Sequence, residues 1–171
     1  MSEELRLKAV EKEDVDFMHQ MRKNPDIMEF WCAEAYTSKE RLLKEYEDNQ
    51  KSDTIRQFII YDGDQKIGYT SLFNINPRHR SATFAIMLDP SHHGKGYATR
   101  STELVVKYGF NQLNLNKISL DVVDYNEKAI HIYKKVGFEI EGERKQQYFI
   151  KGAYTNGYVM GLLRENFNQS F

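Results

Sequence analysis

One cysteine, Cys32, stands in a chain of 171 residues. A disulfide within the chain is therefore impossible, and the fold must rest on burial and hydrogen bonding, in keeping with a reducing, cytoplasmic setting. Prolines number 3 and glycines 10, too few for a collagenous or Pro/Gly-rich low-complexity chain. Apolar runs are short. None nears the roughly 20 residues that a spanning helix needs, so no membrane partner is expected. The N-terminal Met1-Ser-Glu-Glu-Leu5 lacks the basic start and apolar core of a secretory leader. Neither sign of charge dominates: 24 Lys and Arg face 25 Asp and Glu, a net charge of −1. So balanced a chain offers no electrostatic footprint for nucleic acid. Metal-ligand spacings are missing too, with no His-Glu-x-x-His and no cysteine pair. His92 and His93 are adjacent, and neighbours on a turn diverge, so no metal is expected there.

What is present is a well-filled globular composition, 40% hydrophobic and 13% aromatic, with 11 Tyr and 10 Phe. The length suits a single domain over residues 1–171. Leu5 to Val10 alternates apolar and polar residues and reads as a strand. Asp14 to Arg22 carries Val15, Met18 and Met21 at helical spacing. Asn24-Pro25-Asp26 is expected to stop that helix, leaving the aromatic-rich Ile27 to Tyr36 irregular. Ser38 caps a second helix, charged over Arg41 to Asn49 except at Leu42, Leu43 and Tyr46. The period then changes to two. Arg56 to Tyr61, Lys66 to Asn74 and Ser81 to Leu88 read as strands, the first two joined by the turn Asp62-Gly63-Asp64. A helix after Gly96 runs to about Leu113, with Tyr97, Leu104, Val105 and Tyr108 on one face. Lys117 to Val123 is a strand. Asn126 to Val136 is a helix, with Ala129, Ile132, Tyr133 and Val136 on one face and Gly137 as its stop. Phe138 to Glu143, Gln147 to Ile150 and Tyr158 to Leu163 suggest closing strands. The layout defines an α+β domain with hairpins, and so an antiparallel sheet, up to Leu88.

Pro90-Ser-His-His-Gly-Lys-Gly-Tyr-Ala-Thr-Arg100 is the most informative stretch. It follows the strand ending at Leu88 and opens a helix. A Gly-x-Gly turn there aims successive N–H groups at one point, and the helix N-terminus adds unpaired N–H groups and its positive dipole end. Such a turn suits phosphate. A P-loop is excluded because Tyr97, not Ser or Thr after Lys, follows the last glycine. A dinucleotide fingerprint is excluded because Thr99 stands where a third glycine belongs, and hairpins precede it.

A second segment, Asp124-Tyr-Asn-Glu-Lys-Ala-Ile-His-Ile-Tyr-Lys-Lys-Val-Gly-Phe138, completes the pattern. Together the two resemble the GNAT superfamily of acyl-CoA-dependent N-acetyltransferases. Its pyrophosphate motif, Gln/Arg-x-x-Gly-x-Gly/Ala, falls on His93-Gly94-Lys95-Gly96-Tyr97-Ala98, with His93 where Gln or Arg is usual. Its later motif falls on Asn126, Ala129, Tyr133, Gly137 and Phe138. Over nearly the whole chain the sequence is most similar to bacterial spermidine N-acetyltransferases, in Phe30-Trp31 with Glu34 and Tyr36, Ile75-Asn76 with His79-Arg80, Gly94 to Arg100, and Asn126 to Tyr133.

The resemblance implies a GNAT fold: a mostly antiparallel central sheet, splayed where acetyl-CoA binds and flanked by helices. It implies a cytoplasmic enzyme that passes acetyl from acetyl-CoA to a primary amine of a polyamine, directly and without an acyl-enzyme. It also implies a homo-oligomer. Tyr133 matches the general acid toward the CoA sulfur, and Glu34 is the candidate for engaging the cationic substrate or relaying its proton. Backbone near Met87 and Leu88 would polarise the thioester carbonyl, with Asn126 across the pantetheine arm. His93, Gly94, Lys95, Gly96, Tyr97, Ala98 and Arg100 would hold the pyrophosphate. By composition alone Tyr133 reads as a core tyrosine, Asn126 as a helix cap, Lys95 as a solvated charge and Glu34 as a surface carboxylate. Polyamine-specific relatives carry a Glu pair where this chain has Ala33-Glu34, and Glu on the central hairpin where it has Ser71 and Asn74. Glu40, Glu45, Glu47 and Asp48 either make up that charge or form a solvated face. Two other activities stay open: acetylation of another amine, such as a ribosomal protein N-terminus or amino sugar, and non-catalytic sensing of acetyl-CoA or polyamine. Cys32 reads as a packed thiol and Trp31 as core or pocket wall.

Overall fold

The structure, a computed structural model, describes residues 5–167. The N-terminal reading at residues 1–4 and the last residues, 168–171, lie outside the described residues. Strand β1 (Leu5–Ala9) leads to helices α1 (Val15–Arg22), α2 (Pro25–Phe30) and α3 (Lys39–Gln50). Then come β2 (Arg56–Asp62), β3 (Gln65–Asn76) and β4 (Ser81–Leu88), a meander joined by short turns. Helix α4 (Tyr97–Asn111), β5 (Lys117–Val123), α5 (Glu127–Val136) and the hairpin of β6 (Glu139–Ile150) with β7 (Ala153–Leu163) complete the fold.

All seven strands form one sheet in the order β1-β2-β3-β4-β5-β7-β6. Every neighbouring pair is antiparallel except β4 with β5. Period-two alternation divides the side chains between two layers. Leu72, Phe84, Ile118 and Leu120 pack on one face against Val105, Val106 and Phe110 of α4 and Ile130 of α5. Ile59, Tyr69 and Met87 pack on the other against Val15, Met18 and Met21 of α1, Met28 of α2 and Leu42 of α3.

Three expectations are corrected. Pro25 does not end helical structure; it begins α2, because proline at a first helical position needs no N–H partner and presets φ, while the Asn24 side chain accepts from Asp26 N–H at 3.0 Å. The closing strands number two, since β6 runs unbroken through Arg144–Tyr148 by shifting register against β7. On α4 Val105 of the expected stripe is fully buried, but so are Val106 and Phe110 outside it, while Tyr97, Leu104 and Tyr108 are only partly buried.

Candidate active site

The parallel pairing of β4 with β5 lasts only from Ser81↔Lys117 to Thr83↔Ser119. Beyond it, Phe84–Leu88 of β4 stays paired to β3 and 120–123 of β5 to β7, so the sheet splits between two separately braced walls. Which groups face the split follows from the ladder. Asp89 N–H donates to the Ile67 carbonyl at 2.8 Å, toward β3, and the Arg80 carbonyl accepts from Asn116 N–H at 2.6 Å, toward β5. Alternation then turns the backbone groups of Phe84, Ile86 and Leu88 to the open edge and those of Met87 to β3. The expectation of a Met87 N–H at the gap is thus corrected: Leu88 keeps that place and Ile86 joins it. Met87 is buried under the α1–α3 layer instead.

At the mouth of the split lies the glycine turn. Asp89 shapes its entry, accepting from Ser91 N–H at 2.9 Å and Ser91 Oγ at 2.6 Å, and these bonds hold its carboxyl below the usual range. Gly94 and Gly96 both have φ of 78°. A Cβ at either would meet nothing within 4 Å, so conformation and not space calls for glycine. Gly96 caps α4, whose first-turn N–H groups have no partner within the helix. The same helix start is tied to the sheet by Tyr97, which donates to Asp62 on β2. Ala98 is half-buried beside it, its carbonyl accepting from Thr102 Oγ1 at 2.7 Å. His93, Lys95 and Arg100 are exposed around the turn. The His93 N–H is already engaged by the Pro90 carbonyl at 3.1 Å, so its side chain alone is offered to a ligand. The residues present therefore fit a phosphate group: two left-handed glycines, a helix N-terminus and two exposed cations.

The far wall carries α5. Asn126 caps it, accepting from Ala129 N–H at 3.2 Å, as composition alone suggested. Tyr133 packs edge-on against Phe84 at 6.1 Å, and so touches the β4 wall at the start of the split. Its other ring neighbour is Phe138 at 6.0 Å. Burial pushes the phenol up to about 12, and its hydroxyl has no hydrogen-bond partner among the described residues.

Helix α2 connects the two walls on the opposite face from α4 and α5. Trp31, at its end, meets Tyr69 of β3 at 6.2 Å, while Phe30 meets Tyr125 beyond β5 at 6.0 Å. Glu29 accepts from the Tyr125 hydroxyl at 3.4 Å and pairs with Lys151 of the β6–β7 turn at 2.5 Å. Burial, and then the nearby Asp121 carboxylate, push the Cys32 thiol up to about 11, so it is a packed thiol and not a thiolate nucleophile. Glu34 is two residues further on, exposed, with no hydrogen bond or ion pair to any described residue. Thus Tyr133, Leu88, Asn126 and the glycine turn are arranged around the split, whereas nothing fixes Glu34 against it.

Sequence reasoning missed Glu29, Tyr125 and Asp121, which carry no motif; only the alternation along β5 signalled that Asp121 shares a face with Ser119. The α3 carboxylates are also clarified. Glu45 is clasped by Arg22 through two bonds of 3.0 and 2.9 Å, and Arg22 donates in turn to the Tyr69 hydroxyl at 2.9 Å. Glu45 is therefore already neutralised. Ser71 is buried, and Asn74 is exposed with φ of 51°. Among the described residues no group of three or more His, Cys, Asp or Glu is placed to hold a metal ion, and no helix is long and apolar enough to cross a membrane.

A sheet split beside a glycine turn and a helix N-terminus is the architecture of the acetyltransferase (GNAT) domain family, which matches residues 4–139, and the chain belongs to that family. Within it, the chain is 38% identical to the spermidine N(1)-acetyltransferase of Escherichia coli (strain K12) over 163 residues, 95% of this chain and 88% of that one. It is 36% identical to the spermidine N(1)-acetyltransferase of Vibrio cholerae over 168 residues, 98% of this chain and 97% of that one. The crystal structure of spermidine N-acetyltransferase from Vibrio cholerae in complex with CoA and spermine superposes with a TM-score of 0.92 at 37% identity, covering 95% of this chain and 96% of that one.

Proposed function

We propose that this acetyltransferase moves the acetyl group of acetyl-CoA to a primary amine of a polyamine such as spermidine or spermine. The observation that carries the reading is the near-complete likeness, in sequence and in fold, to enzymes named for that reaction, one of them holding CoA and spermine. Acetyl-CoA supplies an acetyl group already activated as a thioester. The residues of this chain bind, orient and protonate around it. The first-turn N–H groups of α4, with Gly94, Lys95, Gly96, Tyr97, Ala98 and Arg100, hold pyrophosphate, and His93 adds its side chain. Outward amides at Ile86 and Leu88 offer strand-like hydrogen bonds along the open edge of β4 and point donors at a carbonyl there. Asn126 closes the other side.

Tyr133 is the proton donor for the departing sulfur. With its phenol pushed up to about 12 it stays protonated at every working pH. Cys32, protonated as well, takes no acyl group, which supports direct transfer between two bound substrates. Glu34, on the exposed loop before α3, is the candidate to attract the cationic acceptor and relay its proton through water. A lone free thiol suits a cytoplasmic setting. The edge strand β6, exposed along its length except at Tyr148 and Ile150, with Phe149 and Tyr154 paired at 5.1 Å near its turn, supports a homo-oligomer.

A second reading, acetylation of another amine, is favoured by one observation. The places where polyamine carboxylates were sought hold uncharged Ser71 and Asn74 and the already paired Glu45. Release of free CoA from acetyl-CoA, measured with spermidine, spermine, short peptides and amino sugars, separates the two. Saturable turnover with the polyamines supports the first reading. Turnover only with another amine moves the substrate and keeps the reaction, and ligand binding without CoA release leaves a sensor.

A further inference from the structure

If the acceptor is a cation, as proposed above, its charge needs a receiver held near the split: Ser71 and Asn74 are uncharged, Glu45 is paired to Arg22, and Glu34 lies on an exposed loop with nothing fixing it there. The structure contains one carboxylate in the right place that no motif identified. Asp121 sits on β5, two residues past Ser119, where pairing with β4 has ended. Ile118, Leu120 and Val122 turn into the core beneath α4 and α5. By alternation Asp121 projects from the opposite face, the face that α2 and the Trp31–Ser38 loop cover. Its surroundings confirm this. Cys32 is close enough for the Asp121 carboxylate to disfavour its thiolate, and Tyr148 of β6 feels the same charge after burial. The Tyr148 ring reaches over Gly157, two residues along β7 from its cross-strand partner Thr155: a Cβ at Gly157 would come to 2.5 Å from Tyr148 Cε2.

Asp121 is also incompletely satisfied. Its one ion pair among the described residues, to Arg144 of β6, is 3.9 Å long, and its side chain remains 44% exposed. A carboxylate held so loosely at the lip of the split is free to exchange a distant guanidinium for a closer ammonium. Carboxylates elsewhere in the neighbourhood are better used: Glu29 by Lys151 at 2.5 Å and Asp124 by Thr155 Oγ1 at 3.2 Å.

We infer that Asp121 is a specificity-determining residue, receiving a cationic nitrogen of the acceptor on the side of the split opposite α4 and α5, with Arg144 as the resident cation that the acceptor displaces. The ring of Tyr148 and the Trp31 side of α2 form the walls along which the acceptor's hydrocarbon lies.

The test compares Asp121→Asn and Arg144→Gln with the wild-type full chain, reading steady-state CoA release with spermine at low and high salt and the thermal midpoint of each protein. Asp121→Asn is expected to raise KM for spermine about tenfold or more and leave KM for acetyl-CoA within about twofold. That penalty should shrink with salt. Arg144→Gln, by freeing Asp121, is expected to lower KM for spermine severalfold. A structural role would move both variants in the same direction and lower the thermal midpoint. An unchanged KM in Asp121→Asn, or a parallel loss in both variants, overturns the inference. Failure of the underlying reading looks different: the wild type itself would not turn over spermine. The same two ratios are then read with whichever amine it does acetylate, and a neutral acceptor unaffected by Asp121→Asn overturns the inference there too.

Discussion

Removing one oxygen atom tests the chemistry. In Tyr133→Phe the ring keeps its edge contacts with Phe84 at 6.1 Å and Phe138 at 6.0 Å, and only a hydroxyl with no hydrogen-bond partner among the described residues is lost. The core should therefore not notice, and the thermal midpoint should hold, since the hydroxyl has no partner among the described residues to lose. Turnover should notice. General acids contribute about 10²- to 10⁴-fold. The phenol's value of about 12 decides which end applies. Against roughly 8.5 for an ordinary thiol, complete transfer to a thiolate would be uphill by roughly 4–5 kcal/mol. Tyr133 then works mainly by donating a hydrogen bond to charge developing on sulfur, and the loss should fall near the lower end, about 10²-fold in kcat or roughly 2.7 kcal/mol. KM for acetyl-CoA should stay within about threefold, because the pyrophosphate turn and the β4 edge are untouched. The assay is CoA release under saturating acceptor, from pH 6 to 10. As burial places the phenol's ionisation above that window, the wild-type profile should show no descending limb from Tyr133. A kcat within about threefold of wild type would refute its role as donor.

Gly96→Ala meets no steric obstacle but must hold φ of 78°, a strain of about 1–2 kcal/mol. KM for acetyl-CoA should rise about five- to thirtyfold with little change in saturated turnover; an unaffected KM would mean that the turn does not bind the anion. Cys32, its thiol pushed up to about 11 by burial and then by Asp121, should alkylate slowly at neutral pH and faster only as pH climbs toward that value. Asp121→Asn should shift that rise part of the way down, burial remaining; rapid labelling at pH 7 would contradict the packing described. The exposed β6 edge should be covered in solution, so light scattering is expected to give a mass that is a multiple of 20.2 kDa, and a monomer at all concentrations would reject the oligomer.

Much of this site was legible before any coordinates, for reasons that differ by residue. The glycine turn was readable because positive φ at Gly94 and Gly96 leaves few substitutes, and because strand and helix flank it at fixed spacing. Asn126 was readable as a helix cap, whereas Tyr133 alone read as a core tyrosine at i+4 of the apolar stripe, and its assignment as acid came only from the likeness to the family. Local signals of that kind survive in sequence because the chain within about ten residues determines them. The misses are tertiary. Nothing local says that β4 and β5 part company after Thr83 and Ser119, so the gap-facing amides could be placed only to within a residue. Pro25 was read as a stop, although proline is equally at home in a first helical turn, and Asn24 was the signal that decided it. Asp121, one acidic residue in an apolar strand, looked like ordinary alternation; its importance comes from Cys32, Arg144 and Tyr148, three residues brought together from two other parts of the chain.

The central claim, acetyl transfer to a polyamine, is tested most directly by incubating the purified chain with acetyl-CoA and spermine or spermidine, then measuring free CoA and acetylated amine together, the latter by mass spectrometry. The account expects saturable formation of a mono-acetylated polyamine, one for each CoA released. CoA release that leaves the polyamine unmodified, or no release with either polyamine while another amine is acetylated, would contradict it.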